Sequence, residues 1–225
     1  MRMNKAKIIN LVSLIICGFI FVSTVIIVAM GLSTGPEAAQ PGSEDMTGIN
    51  YLKAFTVDSN ILMGITSLIV AIFNFKNLLQ NRDEMPEWVV VAQFISATAV
   101  AVTMMTTILF LAPTGVAYGH SYFWLFTGTL FFLHFFNPSL VLVDVMFLLK
   151  KHRITLPYCF LAVIPVIIYS CFYIPFVLTG TWKDFYGFTF GGHMAVVPAS
   201  ILTMYGVAFL FGFLISLVHN KFINE

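Results

Sequence analysis

Hydrophobic residues along the chain fall into six long runs, at about 8–31, 52–75, 88–111, 122–149, 156–178 and 195–218. Each run has about 20 residues or more, the length that an α-helix needs to cross the hydrocarbon core of a bilayer. Glycine, proline or charged residues bound every run. The pattern predicts an all-α, polytopic membrane protein, a bundle of six transmembrane helices that forms a single domain over residues 1–225.

Composition and the placement of charge agree with this class. The chain is 59% hydrophobic and 9% charged, whereas soluble domains are about 25% charged. Nine of the 11 Lys and Arg residues fall in segments that lie on one side of the membrane if the N-terminus is cytoplasmic. The positive-inside rule therefore predicts that both termini are cytoplasmic. No extended basic patch with interleaved aromatic residues occurs, so we do not expect nucleic acid as a partner.

The first run and the three cysteines have simple interpretations. The run from Ile8 to Met30 is longer than the apolar segment of a typical signal peptide and lacks a clear cleavage site, so we expect a retained first helix. Cys17, Cys159 and Cys171 all lie within apolar runs. This placement predicts small buried residues rather than a disulfide framework in the loops.

Some polar residues in the runs are explained by packing between helices. The third run carries polar residues on one side at helical spacing, Gln93, Ser96, Thr103 and Thr107. Side chains of this kind form hydrogen bonds between transmembrane helices, and we expect that role here. In the fifth run, Tyr169 and Tyr173 share a face after Pro165, which predicts packing beside a proline kink.

The second run opens with FTVDSN, residues 55–60, which place four polar side chains close to the start of a helix. At 100° per residue, Thr56 and Asn60 share a face, and Asp58 points nearly the opposite way. Thr, Asp, Ser and Asn are common helix caps. We therefore assign Asp58 and Ser59 to the start of the helix, and Thr56 and Asn60 to a face that points into the bundle.

The fourth run carries His134 far from either end, followed by Asn137 and Pro138. Proline has no backbone N–H, so in a regular α-helix Pro138 leaves the carbonyl of His134 without its usual partner. A polar, kinked segment is tolerated in a membrane where it lines a cavity. A buried histidine can also be a structural hydrogen-bonding residue. Asp144, six residues before Lys150, is expected to pair with the basic residues 150–153.

Depth in the membrane allows Thr56 and His134 to meet. Thr56 precedes Lys76 by 20 residues and His134 precedes Lys150 by 16. These separations correspond to roughly 30 Å and 24 Å along two helices whose cytoplasmic ends carry the lysines. Both residues therefore lie in the outer half of the predicted bundle, and tilt can absorb the difference in depth.

At these two segments the sequence resembles the androgen-induced protein and androgen-dependent TFPI-regulating protein family, with its bacterial six-helix relatives. These are membrane hydrolases that cleave fatty-acid esters of hydroxy fatty acids with a threonine on the second helix and a histidine on the fourth. The matching residues are Phe55 to Asn60 and His134 to Pro138. The resemblance implies that Thr56 is the nucleophile, that His134 is its base, and that the protein lies in a bacterial plasma membrane.

This chemistry is consistent with the residue types. A threonine hydroxyl becomes an effective nucleophile when a base takes its proton, and a neutral imidazole suits that role. Asn60 and Asn137 are candidate donors to the oxyanion, and Asp58 or Asn137 is a candidate to orient His134. A lipid or fatty-acyl ester is the expected substrate, and the mechanism requires no cofactor or metal.

Two alternatives remain open at this point. His120, His134 and His193 all fall in the outer half or in external loops, and three such ligands with water would form a catalytic zinc site, although no tight histidine spacing occurs. A membrane transporter or binding protein without enzymatic activity is the other alternative, although no internal repeat is evident.

Overall fold

The computed structural model describes residues 5–35, 46–149, 152–184, 186–189 and 193–223. Within these residues, six helices are long and apolar enough to cross a membrane: α1 (Lys5–Ser33), α2 (Phe55–Gln80), α3 (Glu87–Ala117), α4 (Gly128–Leu148), α5 (Leu156–Leu178) and α6 (Val197–Phe222). Short 3₁₀ segments lie outside them at Gly48–Lys53, Tyr122–Phe126 and Met194–Val196. The predicted all-α bundle of six helices is confirmed, and the helix lengths and composition indicate an integral membrane protein.

Two helices begin later than the hydrophobic runs predict. α2 begins at Phe55 rather than 52, because Ala54 is extended (φ −89°, ψ 126°) and separates α2 from the 3₁₀ segment Gly48–Lys53. α4 begins at Gly128 rather than 122. Gly128 has a φ of +53°, a left-handed conformation that glycine adopts readily, so the chain turns there before it enters the helix.

Three turns of π-helix interrupt α3 and α4, at Thr107–Leu111, Phe132–Phe136 and Asp144–Leu148. The first two are each followed closely by a proline, Pro113 and Pro138. In a π-turn each carbonyl accepts from the N–H five residues later, so a proline at that position leaves one carbonyl unpaired. The carbonyl of Ile108 accepts instead from the Tyr122 hydroxyl (2.9 Å), and that of Leu133 accepts from Asn60 Nδ2 (3.1 Å).

The register of the second π-turn corrects one expectation. The sequence predicts that Pro138 frees the carbonyl of His134, four residues before it. The N–H of Asn137 bonds to the carbonyl of Phe132, five residues back. The proline then frees Leu133, and Asn60 of α2 satisfies it. The carbonyl that the proline frees therefore lies one residue before the expected one, and its hydrogen bond to Asn60 joins α4 to α2.

α3 lies at the centre of the bundle. In the most apolar 18-residue stretch of each helix, 61% of the residues of α3 are buried, compared with 28% for α1 and 22% for α6. Phe94, Ala97 and Val100 of α3 pack in the largest core cluster with Met63 of α2 and Ile215 of α6. Large apolar side chains on the outer faces of the helices are exposed, as expected for surfaces that contact lipid.

Hydrogen bonds between polar side chains join α2 to α3 along one seam. Ser59 bonds to Thr103 (3.0 Å), Thr66 to Ser96 (2.7 Å) and Gln93 to Ser67 (3.0 Å). The interhelical role predicted for Gln93, Ser96 and Thr103 is thereby confirmed. Thr107 donates to the carbonyl of Thr103 within its own helix. Such bonds fix the rotation of α2 about its axis, since they hold three positions along one face of α2 against α3.

α5 consists of two segments, Leu156–Leu161 and Ile164–Leu178, with Pro165 near the start of the second. The rings of Tyr169 and Tyr173 stack at 5.3 Å, which agrees with the predicted packing beside a break. The cysteines are free, and Cys17 and Cys159 are buried as expected. Cys171 is exposed, so the prediction that all three are buried is wrong at this position, because its side chain lies on the outer face of α5.

Close packing of α1 on α2 depends on Gly64. A Cβ atom built on this glycine would lie 3.0 Å from the Cγ2 atom of Thr24 in α1. We expect Gly64→Leu to force the two helices apart and to destabilise the protein by about 1–3 kcal/mol, lowering the melting temperature in detergent by several degrees. Gly206→Leu in α6 is the matched control, because a Cβ there has no neighbour within 4 Å. Equal melting temperatures for the two variants would contradict the packing argument.

Candidate active site

Thr56 lies in the first turn of α2 and its side chain is buried, with 8% of its surface exposed. It does not cap the helix, because the N-cap is Ala54, which offers no side-chain hydrogen bond. The first N–H groups of a helix have no acceptor within it. The carbonyl of Ala54 accepts from Val57 and Asp58, and the N–H groups of Phe55 and Thr56 point out of the helix end.

Tyr186 occupies the space in front of this helix end. Its hydroxyl is hydrogen-bonded to the Thr56 hydroxyl and to the backbone N–H groups of Thr56 and Phe55. Burial raises the pKa of Tyr186, and these hydrogen bonds offset only part of that rise. The phenol is therefore neutral at physiological pH, so it can donate a proton in a hydrogen bond but is a poor base.

Asp184 anchors the loop that carries Tyr186. Its carboxylate accepts from the Tyr173 hydroxyl (3.0 Å), from the N–H groups of Phe188 (2.9 Å) and Thr189 (2.7 Å), and from the Thr189 hydroxyl (2.6 Å). The Tyr173 hydroxyl accepts in turn from the N–H of Tyr186 (3.1 Å). Burial alone would raise the pKa of Asp184, but the bonds from Thr189, Tyr173 and Phe188 outweigh it and lower that pKa. The charged form of Asp184 thus stabilises the loop.

A cavity of about 660 Å³ begins at Thr56 and Tyr186 and extends between α3, α5 and α6. The surface of its lining is mostly apolar, and the hydroxyl groups of Thr56 and Tyr186 are among its polar groups. Leu109, Phe110 and Leu210 line it and are also exposed on the outer surface, by 71%, 46% and 51%. The cavity therefore opens sideways between α3 and α6, toward the space that lipid chains fill in a membrane.

His134 is buried within the π-turn of α4. Its Nδ1 atom lies 2.9 Å from the carbonyl oxygen of Leu125, so we assign the proton of the neutral ring to Nδ1. Nε2 then keeps its lone pair and can accept a proton. This is the tautomer that a general base requires.

The structure joins the two segments that carry Thr56 and His134 without a direct bond between these side chains. Asn60 joins them, because its Nδ2 atom donates to the carbonyl of Thr56 (2.7 Å) and to that of Leu133, the residue before His134. No hydrogen bond between the Thr56 hydroxyl and the His134 ring occurs in the part of the chain that the structure describes. His134 is also absent from the lining of the cavity.

The other predicted site residues have identifiable partners. Both N–H groups of Asn60 are used, so it has no donor left for an oxyanion. Asn137 accepts from Ser23 of α1 (3.1 Å), while its buried Nδ2 atom has no partner among the described residues. Ser59 bonds to Thr103 and does not cap the helix. Asp58 is exposed on the first turn of α2, where its negative charge interacts favourably with the positive end of the helix dipole.

The three histidines proposed for zinc do not form a ligand set. The described residues include no group of three His, Cys, Asp or Glu side chains that could hold a metal ion. His120 stacks on Trp124 at 4.8 Å, and His193 is exposed. His134 is held by a backbone carbonyl. The zinc alternative is not supported by the positions of these residues.

Sequence reasoning did not identify Tyr186 as part of the site. Tyr186 lies in the loop between α5 and α6, 130 positions after Thr56, and nothing in its local pattern indicates which helix end it covers. Comparisons of the chain with protein-family models, with curated proteins and with solved structures found no match in any of the three. The site is therefore interpreted from its own geometry.

The hydrogen bonds to Asp184 predict a dependence of stability on pH. Because the pKa of this carboxyl is lowered in the folded protein, its contribution is complete above its ordinary pKa of 3.8 and is lost as the pH falls through the lower folded value. We expect Asp184→Asn to lower the melting temperature at pH 7. The difference from the unmodified protein should shrink toward pH 3.

The control for this experiment is Glu84→Gln. Glu84 is exposed, and no hydrogen bond to its carboxylate occurs among the described residues. This variant should follow the unmodified protein across the whole pH range. A difference for Asp184→Asn that stays constant from pH 7 to pH 3 would mean that the charged form of Asp184 does not hold the loop.

Proposed function

We propose that the protein is an integral membrane lipid-ester hydrolase in which Thr56 is the nucleophile and His134 the base. The observation that carries this proposal is the position of the Thr56 hydroxyl. It lines a large, mostly apolar cavity, beside two helix N–H groups that have no acceptor within the helix and beside the Tyr186 hydroxyl. In this proposal Thr56 supplies the nucleophile, the cavity holds the acyl chain, and the N–H groups with Tyr186 supply donors to the oxyanion.

The cavity supports a substrate with a long apolar chain. A volume of about 660 Å³ is in the range of pockets that enclose small ligands. The sideways opening near Leu109 and Leu210 lets such a chain enter from the bilayer. An ester of a fatty acid would then place its chain among apolar side chains and its carbonyl carbon near Thr56.

The reaction begins with attack of Thr56 Oγ on the ester carbonyl carbon, while the hydroxyl proton moves to Nε2 of His134. The carbonyl oxygen becomes an oxyanion, and the bond to the alcohol breaks as His134 returns the proton to the leaving oxygen. Water then attacks the acyl-Thr56 carbonyl, His134 takes a proton from it, and the fatty acid is released as the Thr56 oxygen recovers a proton.

The Tyr186 hydroxyl and the two N–H groups at the start of α2 support the oxyanion step. In the structure the N–H groups of Phe55 and Thr56 bond to the Tyr186 oxygen. A substrate carbonyl oxygen at the start of α2 can accept hydrogen bonds from the same N–H groups, and the neutral Tyr186 hydroxyl can donate a further one. The Thr56 hydroxyl has to turn from Tyr186 toward His134 before it attacks. In the proposal the substrate carbonyl oxygen moves the Tyr186 oxygen away from the helix N–H groups, which breaks the bond between Tyr186 and Thr56 and frees the Thr56 hydroxyl to turn.

Orientation and substrate are also part of the proposal. With the N-terminus cytoplasmic, nine of the 11 Lys and Arg residues lie inside, and Thr56 lies in the outer half of a bacterial plasma membrane. Fatty-acid esters of hydroxy fatty acids are the proposed substrates, by the resemblance of residues 55–60 and 134–138 to the threonine hydrolases. Their apolar chains fit the lining of the cavity.

The test is hydrolysis of a long-chain fatty-acyl ester by the purified full chain in detergent micelles. We expect Thr56→Ala to lower the rate on the order of 10³-fold or more, since it removes the nucleophile, and His134→Ala to lower it strongly as well. With an alkyl fluorophosphonate probe, mass spectrometry should locate the adduct on Thr56. Loss of the adduct in both variants is the expected result.

Thr98→Ala is the matched control. Thr98 is fully buried in α3, donates to the carbonyl of Phe94 (2.9 Å) and does not line the cavity. Its removal should leave the rate and the adduct unchanged, and melting temperatures of all three variants separate catalysis from folding. Hydrolysis that persists in Thr56→Ala would remove the proposed mechanism.

A further inference from the structure

A second buried polar cluster lies between α1, α2, α3 and α4, away from Thr56. We propose that this cluster, built around Asp144, binds a monovalent cation of the size of sodium. Its other members are Ser13, Cys17, Ser67, Asn74 and Gln93. Asn74 follows Thr56 by 18 residues on α2, about 27 Å along the helix, so the cluster is separate from the candidate active site.

Asp144 is an unusual residue for its position. It is fully buried in a membrane-spanning helix. Its Oδ1 atom accepts from the Ser13 hydroxyl (2.5 Å) and its Oδ2 atom from the Cys17 thiol (3.4 Å). Both donors are neutral. Ionisable residues inside a membrane are costly and are generally paired with a charge or placed for function.

The expected basic partners do not provide that charge. Sequence reasoning assigned Asp144 to the basic residues 150–153. Lys150 and Lys151 lie outside the described residues. His152 Nε2 donates to the carbonyl of Met85 (2.7 Å), and Asp144 points to α1. Among the described residues, no cationic side chain contacts the Asp144 carboxylate.

Gln93 provides a second and independent observation. Its side chain is fully buried, and its Oε1 atom has no hydrogen-bond partner among the described residues. Its Nε2 atom contacts the Ser67 hydroxyl (3.0 Å) and the Cys17 sulfur (3.9 Å). Cys17 in turn contacts Asp144. The side chain with the unpaired amide oxygen thus belongs to the same contact chain as the buried carboxylate, and in the proposal one bound cation compensates both groups.

The ligand atoms favour a monovalent ion. Oxygen atoms of a carboxylate, an amide and hydroxyl groups are ligands for hard cations. Asp144 is the only acidic residue in the cluster, so only its carboxylate carries a formal charge. A single negative charge balances one positive charge, whereas calcium sites in proteins use several carboxylates.

Polar residues of α2 lie between the cluster and the surface. Asn74 donates to Ser13 (2.8 Å), and Asn77, one turn further along α2, lines a cavity of about 560 Å³ at the loop between α2 and α3. Asp83 and Glu84 also line this cavity, and Asp83 accepts from Asn10 of α1 (3.2 Å). Their carboxylates attract cations to this cavity at the surface.

The experiment compares the melting temperature of the purified full chain in sodium chloride and in choline chloride at equal ionic strength and neutral pH. Choline is too large for a fully buried site. We expect a higher melting temperature in sodium, by about 3 °C or more, with a rise that saturates as sodium is increased. Equal melting temperatures in the two salts would overturn the proposal without the use of any variant.

Two variants locate the effect. Asp144→Asn should melt at the same temperature in both salts, because it removes the charge that binds the ion. Asp184→Asn removes a carboxylate from the loop that carries Tyr186, away from the cluster. This variant should keep the full difference in melting temperature between the two salts. If Asp144→Asn does not fold, Gln93→Leu takes its place and should reduce the difference. A sodium response of full size in Asp144→Asn, or in Gln93→Leu when that variant substitutes for it, would place the ion elsewhere and overturn the assignment.

Discussion

The structure depends on one constraint, that a polar group surrounded by hydrocarbon has to find its partner within the protein. The carbonyl of Leu133 is the clearest example. Pro138 and the π-turn leave it without a backbone partner, and Asn60 of α2 supplies one. The same amide holds the carbonyl of Thr56. A backbone irregularity in α4 is thereby converted into the contact that positions the start of α2 beside His134.

The candidate active site uses the opposite situation, a place where backbone donors remain unsatisfied within a helix. Every helix has free N–H groups at its start, and α2 begins inside the protein beside a cavity rather than in water. The loop anchored by Asp184 brings Tyr186 to those groups. Hydrogen-bonding groups of the helix start and of Tyr186 thus lie beside a mostly apolar cavity.

The number and approximate extent of the helices could be predicted because hydrophobic length directly reports on a bilayer. The interhelical role of polar side chains on α3 could be predicted because polar residues on a transmembrane helix face other helices. The π-turns could not, because they depend on which of two successive N–H groups each carbonyl selects. Tyr186 could not be placed either, since its position follows from the hydrogen bonds that Asp184 accepts from Tyr173, Phe188 and Thr189, and no local sequence pattern indicates these.

The π-turns have a further consequence for how this chain can change in length. A π-turn holds one residue more than a turn of α-helix, so it is equivalent to a single-residue insertion that the helix has absorbed. Deleting one residue from Phe132–Phe136 would therefore restore regular spacing and keep the residues after it in their present orientation. A regular α-helix through the same residues, with nothing deleted, would instead rotate everything after it by about 100°. Asn137 and Asp144 would then leave Ser23 and Ser13. The extra residue in α4 thus sets the phase of the whole second half of that helix.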